Sequence, residues 1–166
     1  MSHRVLHHFF MEAAQRYPEN MAVIEPDVGS VTYRELAELS DRVRDCLHGH
    51  GIRSGDRVGI YMRKSIDATA ILYGILKAGG VYVPVDPGAP PARNAFVMHN
   101  CAVALVFTEQ RFESKLQAEL RSLKAHPALF VIPQAGGGEG LDRALTGAGS
   151  PYPAAETVIP EPDDLA

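Results

Sequence analysis

The side chains of this sequence that could hold a metal or attack a substrate are mainly histidines and cysteines. His7 and His8 are neighbours, so on a helix they point to diverging sides, and His48 and His50 lie at the predicted end of another helix. An imidazole at that end interacts favourably with the helix dipole, which explains the second pair without a metal. Because a metal site needs several converging ligands, we predict none.

Each of the two cysteines also has a histidine nearby, since His48 follows Cys46 and His99 precedes Cys101. A nucleophilic pair of thiol and imidazole is therefore one hypothesis. Cys46, however, falls on the apolar side of its predicted helix, which favours a buried structural thiol. Two cysteines are too few for a disulfide scaffold or an all-thiolate zinc site, so we predict buried thiols in a reducing cytoplasm.

Two other groups of residues could contact phosphate or magnesium. Gly136, Gly137 and Gly138 follow a predicted strand, but they lack the G-x-G-x-x-G spacing of a dinucleotide loop and a convincing helix behind them, so we predict a flexible loop. Asp163 and Asp164 are adjacent carboxylates, which make a weak and unselective magnesium site. The sequence thus predicts no catalytic, cofactor-binding or metal-binding residues.

The composition excludes several classes of protein. The chain has 166 residues, a formal charge of -4 and 46% apolar residues, which indicates a globular protein rather than a disordered one. No basic excess points to nucleic acid, and no apolar run approaches the ~20 residues of a membrane span. The first residues, MSHRVLHHFFMEAA, lack the apolar run of a secretory signal. We therefore predict a cytoplasmic protein that binds neither nucleic acid nor membranes.

The apolar pattern predicts the elements that would position any site. Two short strands come first, and four strands then alternate with helices: Ala22–Glu25, Ser30–Thr32, Val58–Tyr61, Val81–Pro84, Val103–Phe107 and Leu129–Ile132. Helices are predicted at 5–17, 66–78, 91–99 and 111–125, and a further helix begins at the Thr32 cap and is ended by Gly49 and Gly51. This alternation predicts an α/β fold with a mainly parallel sheet and helices on both faces. The helix from Ile66 has few polar residues, so we expect it to lie between layers and to need further protein around it.

The composition changes near Pro133. Residues 133–166 contain 6 Gly and 5 Pro and carry six acidic residues against one arginine. We predict an N-terminal α/β subdomain over residues 1–132 and an acidic, loop-rich terminal stretch over residues 133–166, outside the core. A short helix is predicted around Leu141–Leu145.

Two segments have the most distinctive spacing. Thr32 and Glu35 are typical of a capping box, in which the Thr32 hydroxyl accepts from the Glu35 amide and Glu35 reaches back to the Thr32 amide. Residues 76–87, LKAGGVYVPVDP, predict a helix end, a Gly-Gly stop, a strand and an abrupt exit. Because these glycines follow a helix rather than precede one, they do not form a phosphate cradle, and the residues alone predict a structural role.

The segment LKAGGVYVPVD also resembles the second core motif of the adenylate-forming ligases, which include acyl-CoA synthetases, luciferases and the adenylation domains of nonribosomal peptide synthetases. Residues 31–36, VTYREL, resemble the first core motif, and SGDRV at 54–58 resembles the turn into the next strand. The resemblance covers about residues 5–110. The positions that carry over as family motif residues are Thr32, Tyr33, Glu35, Leu36, Lys77, Ala78, Gly79, Tyr82, Pro84 and Asp86.

The resemblance implies an enzyme that activates a carboxylate with ATP and magnesium and then passes the acyl group to a thiol of coenzyme A or a carrier protein. The phosphate loop of that superfamily, its nucleotide-binding and magnesium-binding residues and its catalytic lysine have no counterpart here, and residues 161–166 resemble the lead-in to the loop. We therefore expect an N-terminal fragment that is inactive alone and has the remainder of the ligase as its partner. The alternative is a non-catalytic binding or assembly module that retains the fold.

Overall fold

A computed structural model describes residues 5–133, 135–147 and 153–159 and shows the α/β fold that the sequence predicts. In chain order the elements are α1 (Leu6–Arg16), β1 (Met21–Glu25), β2 (Gly29–Thr32), α2 (Tyr33–Gly49), β3 (Arg57–Tyr61), α3 (Ile66–Lys77), β4 (Val81–Pro84), α4 (Pro91–Asn100), β5 (Leu105–Glu109), α5 (Gln110–Ser122), β6 (Ala128–Ile132) and α6 (Glu139–Gly147). None of the helices within the described ranges has the length and apolar content to cross a membrane.

The main sheet is parallel, and its four strands lie in the order β4-β3-β5-β6. Val58 of β3 lies opposite Tyr82 of β4 on one side and Leu105 of β5 on the other. After β4 the chain therefore crosses back over β3 and continues in the opposite direction across the sheet. The carboxyl ends of β3 and β5 form the resulting topological switch point, which is where open α/β sheets commonly bind ligands.

Alternate strand residues contribute to two separate cores, one on each face of the sheet. Val58, Ile60 and Phe107 pack with residues of α2, α3 and α6 on one face. Tyr61 and Val106 pack with residues of α4 and α5 on the other. This arrangement confirms the prediction that helices cover both faces of a mainly parallel sheet.

Helix α3 is buried within its own chain. It lies against α2, α1 and α6, and eight of its twelve residues are buried, including Asp67 and Lys77. The prediction that it lies between layers is confirmed. The expectation that it needs further protein around it stays a prediction, although Asp67 and Lys77 each bond to other parts of this chain.

Strand β5 begins two residues later than predicted. Ala102 has a φ of 48° and Val103 donates to the Met98 carbonyl at 3.0 Å, so the turn after α4 extends through Val103. The strand then continues through Thr108 and Glu109, both buried. Polar residues at its end concealed its true boundary in the apolar pattern.

The short helix predicted around Leu141–Leu145 is present as α6. Leu141 and Leu145 belong to the same core cluster as residues of α2 and α3, so the prediction that the terminal stretch lies outside the core is wrong for this helix. The high Gly and Pro content of residues 133–166 concealed the apolar face of α6 in the sequence pattern. The division of the chain into 1–132 and 133–166 stays a prediction.

Candidate functional site

The first motif builds and anchors the start of α2. The Thr32 hydroxyl accepts from the Glu35 amide at 3.2 Å, and Glu35 Oε2 accepts from the Thr32 amide at 2.7 Å, which confirms the capping box. The hydrogen bond from the Thr32 backbone amide is the largest of the causes that lower the pKa of Glu35. The Tyr33 ring lies 6.3 Å from the Phe10 ring, and Leu36 is buried. These four residues therefore join α2 to α1 and to the core.

Lys77 of the second motif is a buried cation rather than a free one. It is 2% exposed, and its Nζ donates to the Ala37 carbonyl at 3.1 Å, to Ser40 Oγ at 2.8 Å and to Asp41 Oδ1 at 2.9 Å. Its Nζ also lies 5.4 Å from the centre of the Phe10 ring. Burial lowers the pKa of Lys77, and Asp41 opposes that shift. Lys77 therefore fastens the end of α3 to α2.

Arg44 extends this cluster along α2, and its role is not predicted by the sequence pattern. Its Nη1 donates to Asp41 Oδ1 at 2.8 Å, and its Nε donates to Asp45 Oδ1 at 2.9 Å. Arg44 is 8% exposed, although it falls within a helix that reads as amphipathic. Since Asp41 accepts from both cations, Lys77 and Arg44 form one linked network.

The remaining motif residues shape the backbone around β4. Ala78 is fully buried and caps α3, and Gly79 has a φ of 74°, a conformation that favours glycine. Tyr82 packs against the core from β4, and Pro84 ends that strand. Asp86 Oδ1 accepts from the Gly88 amide at 2.8 Å, which forms a tight turn before α4. In each of these residues we find a contact that shapes or packs the chain.

An ion-pair cluster that the sequence analysis did not predict lies at the switch point of the sheet. Glu109 at the end of β5 is 6% exposed, and its Oε1 accepts from the Arg63 amide, just beyond β3, at 2.7 Å. Arg111 Nη2 lies 2.6 Å from Glu109 Oε2. A signal was available in the sequence, since Glu109 ends an apolar run that is followed by Arg111.

The glycine loop at 136–138 lies between β6 and α6, so the short helix predicted around Leu141–Leu145 follows it directly. The Gly136 amide donates to Asp67 Oδ2, and the Gly137 amide donates to Glu25 Oε2 at 3.1 Å. Burial raises the pKa of Asp67, and the loop amides oppose that shift. Carboxylates of the chain itself thus occupy the amides that a phosphate would use in such a loop.

The described histidines and cysteines include one thiol–imidazole contact. No group of three His, Cys, Asp or Glu residues in the described part of the chain is arranged to hold a metal. Cys46 is buried, and its Sγ lies 3.6 Å from Nδ1 of His50. Cys101 is half-buried, which corrects the prediction of a buried thiol. Asp163 and Asp164 lie outside the described residues.

Comparison with known proteins decides the family. The profile of the AMP-binding enzyme family matches residues 10–166. The chain belongs to this family.

Individual AMP-binding enzymes and larger synthases resemble the chain over most of its length. It is 35% identical to bacitracin synthase 1 of Bacillus licheniformis over 116 residues, which is 70% of this chain and 2% of the synthase. The solved nonribosomal peptide synthetase FmoA3 is 29% identical, with a TM-score of 0.71, over 93% of this chain and 15% of that one. A benzoate CoA ligase from Burkholderia xenovorans LB400, at 23% identity, shares the fold with a TM-score of 0.77 over 95% of this chain and 30% of the ligase.

The chain therefore spans a small part of the relatives that it matches, between 2% and 30% of these three. AMP-binding enzymes use ATP and magnesium in their full-length form. In the described residues, the amides of Gly136 and Gly137 already bind carboxylates, and the Lys77 ammonium already donates to α2.

Proposed function

We propose that the chain is the N-terminal part of an ATP-dependent ligase, which forms an acyl or aminoacyl adenylate with release of pyrophosphate and then transfers the acyl group to a thiol. The family match over residues 10–166 is the observation that carries this proposal. In the complete enzyme ATP and magnesium serve as cofactors. The partners are the remainder of the ligase and either a carrier protein or coenzyme A, in the cytoplasm.

The motif GGVYVPVDP at 79–87 favours an amino-acid or carrier-linked substrate over a free acyl-CoA product. The nonribosomal peptide synthetase among the similar structures supports the same preference. The identity of the acid is set by parts of the enzyme other than these motifs.

The same proposal includes inactivity of the isolated chain. Adenylate formation develops charge on the α-phosphate, which enzymes stabilise with placed donors, cations and magnesium. In the described residues, the Gly136 and Gly137 amides already donate to the carboxylates of Asp67 and Glu25, and Lys77 is buried. The chain therefore offers no placed donors for a nucleotide in this region.

An exchange assay tests the inactivity of the 166-residue chain. Exchange between labelled pyrophosphate and ATP should stay at background with every member of a panel of carboxylic and amino acids. The matched variant carries Asp163→Asn and Asp164→Asn, which removes the adjacent carboxylates that could hold magnesium. Exchange above background that this variant abolishes would overturn the proposal of inactivity.

The DNA downstream of codon 166 tests the parent activity independently. A reading frame that continues into a segment rich in Ser, Thr and Gly with a lysine is the expected result, and the longer product should then catalyse the exchange. A stop codon directly after codon 166 would contradict the ligase proposal.

A non-catalytic module that retains the fold is the second candidate, and one observation favours it. Helices of this chain cover both faces of the sheet, and eight of the twelve residues of α3 are buried within it. Such a module would act by binding or assembly. Sedimentation of the isolated chain over a range of concentrations separates the two candidates.

A further inference from the structure

A short extended segment crosses the surface that α1, α2 and the end of α3 form together. We call residues 153–159 the connector. The Val158 amide donates to the Lys77 carbonyl at 2.8 Å, and the Val158 carbonyl lies 3.2 Å from His7 Nε2. Closer to its start, the Ala155 amide donates to Asp45 Oδ1 at 2.9 Å. The connector is therefore hydrogen-bonded to the rest of the chain at Ala155 and at Val158, although it has no regular secondary structure.

A side-chain bond adds to these backbone bonds. Arg44 Nη1 donates to Thr157 Oγ1 at 2.9 Å while it also binds Asp41. Asp41 in turn accepts from Lys77, so one linked network contacts the connector at Thr157 and at Val158. The residues that hold the connector are themselves buried, with His7, Lys77 and Arg44 at 1%, 2% and 8% exposure. Buried, fully paired groups keep one geometry, so the network gives the connector a defined course.

Gly79 supplies the room that Val158 occupies. A Cβ added to Gly79 would stand 2.8 Å from Val158 Cγ1 and 3.0 Å from Ser54 Oγ. Two features therefore favour glycine at position 79: its φ of 74°, and the Val158 side chain that occupies the space a Cβ would need.

We propose that Arg44, Lys77 and Gly79 are positioning residues that fix the connector and thereby set where the polypeptide enters the rest of the adenylating enzyme. This inference rests on the proposed function only in its last clause. None of the three residues needs to touch substrate, since each acts through residues 155–158. The inference gives the second motif a role that its sequence alone, a helix end followed by a strand, does not indicate.

Amide hydrogen exchange of the 166-residue chain, followed by NMR, tests the docking without any ligand. The amides of Ala155 and Val158 should be protected in the unmodified chain because both donate to fixed acceptors. Thr157→Val keeps the shape of the side chain and removes the acceptor for Arg44. It should speed exchange at both amides by ~10-fold, the size expected for loss of one hydrogen bond to a charged group. Exchange in β3 and β5 should not change.

The glycine has a matched control. Gly79→Ala and Gly51→Ala introduce the same methyl group at similar values of φ, 74° and 78°, but nothing lies within 4 Å of a Cβ on Gly51. Exchange at the connector should therefore rise more in Gly79→Ala than in Gly51→Ala. Equal effects of the two variants, or unprotected Ala155 and Val158 amides in the unmodified chain, would overturn the proposal.

The positioning role is tested in the longer adenylating polypeptide that contains this chain. Thr157→Val should lower kcat for pyrophosphate exchange several-fold and leave KM for the acid unchanged, because the residue touches neither ATP nor acid. An unchanged kcat would overturn the role of these residues in the reaction. Failure of the proposed function itself looks different, since the unmodified polypeptide would then show no exchange while the amide protection remained.

Discussion

Gly74 of α3 lies directly against Val43 of α2. A Cβ built on Gly74 would stand 2.5 Å from the Cβ and the Cγ1 of Val43 and 2.9 Å from the Ser40 carbonyl oxygen. Real Cβ atoms do not approach that closely, so the two helices pack at this distance only because residue 74 has no side chain. The close approach also brings Lys77 within reach of Ser40 and Asp41.

Gly74→Ala should destabilise the protein. Alanine favours a helix over glycine by ~1 kcal/mol, but overpacking of a tight core costs about 1–3 kcal/mol, so we expect a net loss. Urea denaturation with fluorescence or circular dichroism measures it. Gly29→Ala is the control, because nothing lies within 4 Å of a Cβ there. A Gly74→Ala midpoint equal to that of the unmodified chain would contradict a net overpacking cost at this contact.

Thr32→Ala should cost about 1 kcal/mol, since the hydroxyl that caps the Glu35 amide is lost. Thr32→Ser keeps the hydroxyl and should recover most of that stability. The pKa of Glu35 is lowered from its ordinary value of 4.5, so its contribution is present above pH 4.5 and fades as pH falls through the folded value. Denaturation midpoints between pH 3 and pH 7 measure both effects. If the alanine and serine variants are equally stable, Thr32 does not cap α2.

The fold was largely predictable from the sequence because its main signals are local. The capping box at Thr32 and the end of α3 at Gly79 depend only on neighbouring residues. The alternation of strands and helices along the chain predicts a parallel sheet. The clusters around Arg44 and Glu109 were missed for the opposite reason. Arg44 binds Thr157 and Glu109 binds the Arg63 amide across long stretches of sequence, so the sequence pattern contains only their near partners, Asp45 and Arg111.

Asp67 gives stability the opposite dependence on pH. Burial raises its pKa above the ordinary 3.8, so the folded chain holds the proton more tightly, and stability falls as pH rises from 3.8 through the folded value. Asp67→Asn keeps an acceptor for the Gly136 amide without the buried charge. It should gain stability relative to the unmodified chain as pH rises from 4 to 7.

Thermal denaturation across that pH range provides the test for Asp67. Asp27→Asn is the matched control, since Asp27 lies in the exposed turn between β1 and β2. A Tm difference between Asp67→Asn and the unmodified chain that does not vary with pH would contradict a raised pKa at Asp67.

Apolar side chains on the hairpin of β1 and β2 should drive self-association. Ile24 is 70% exposed, and Met21 and Val28 are each 57% exposed. Exposed apolar side chains that gather into a patch favour protein–protein contact. We expect the average mass in sedimentation to rise with concentration, and Ile24→Thr to reduce that rise while Phe96→Ser, on α4, leaves it unchanged. A strictly monomeric profile would favour the self-contained module over the ligase fragment.

The contact between His7 and Val158 joins positions 151 residues apart, which has a consequence for synthesis on the ribosome. At ~5–20 residues per second, roughly 10–30 s separate the translation of the two residues. Helix α1 can stack Phe10 on Tyr73 as soon as α3 has emerged, because those rings lie 4.1 Å apart in the finished fold. The slot beside His7 and Gly79 nevertheless stays open until the connector leaves the exit tunnel, so a nascent chain stalled before Val158 would expose this slot to chaperones.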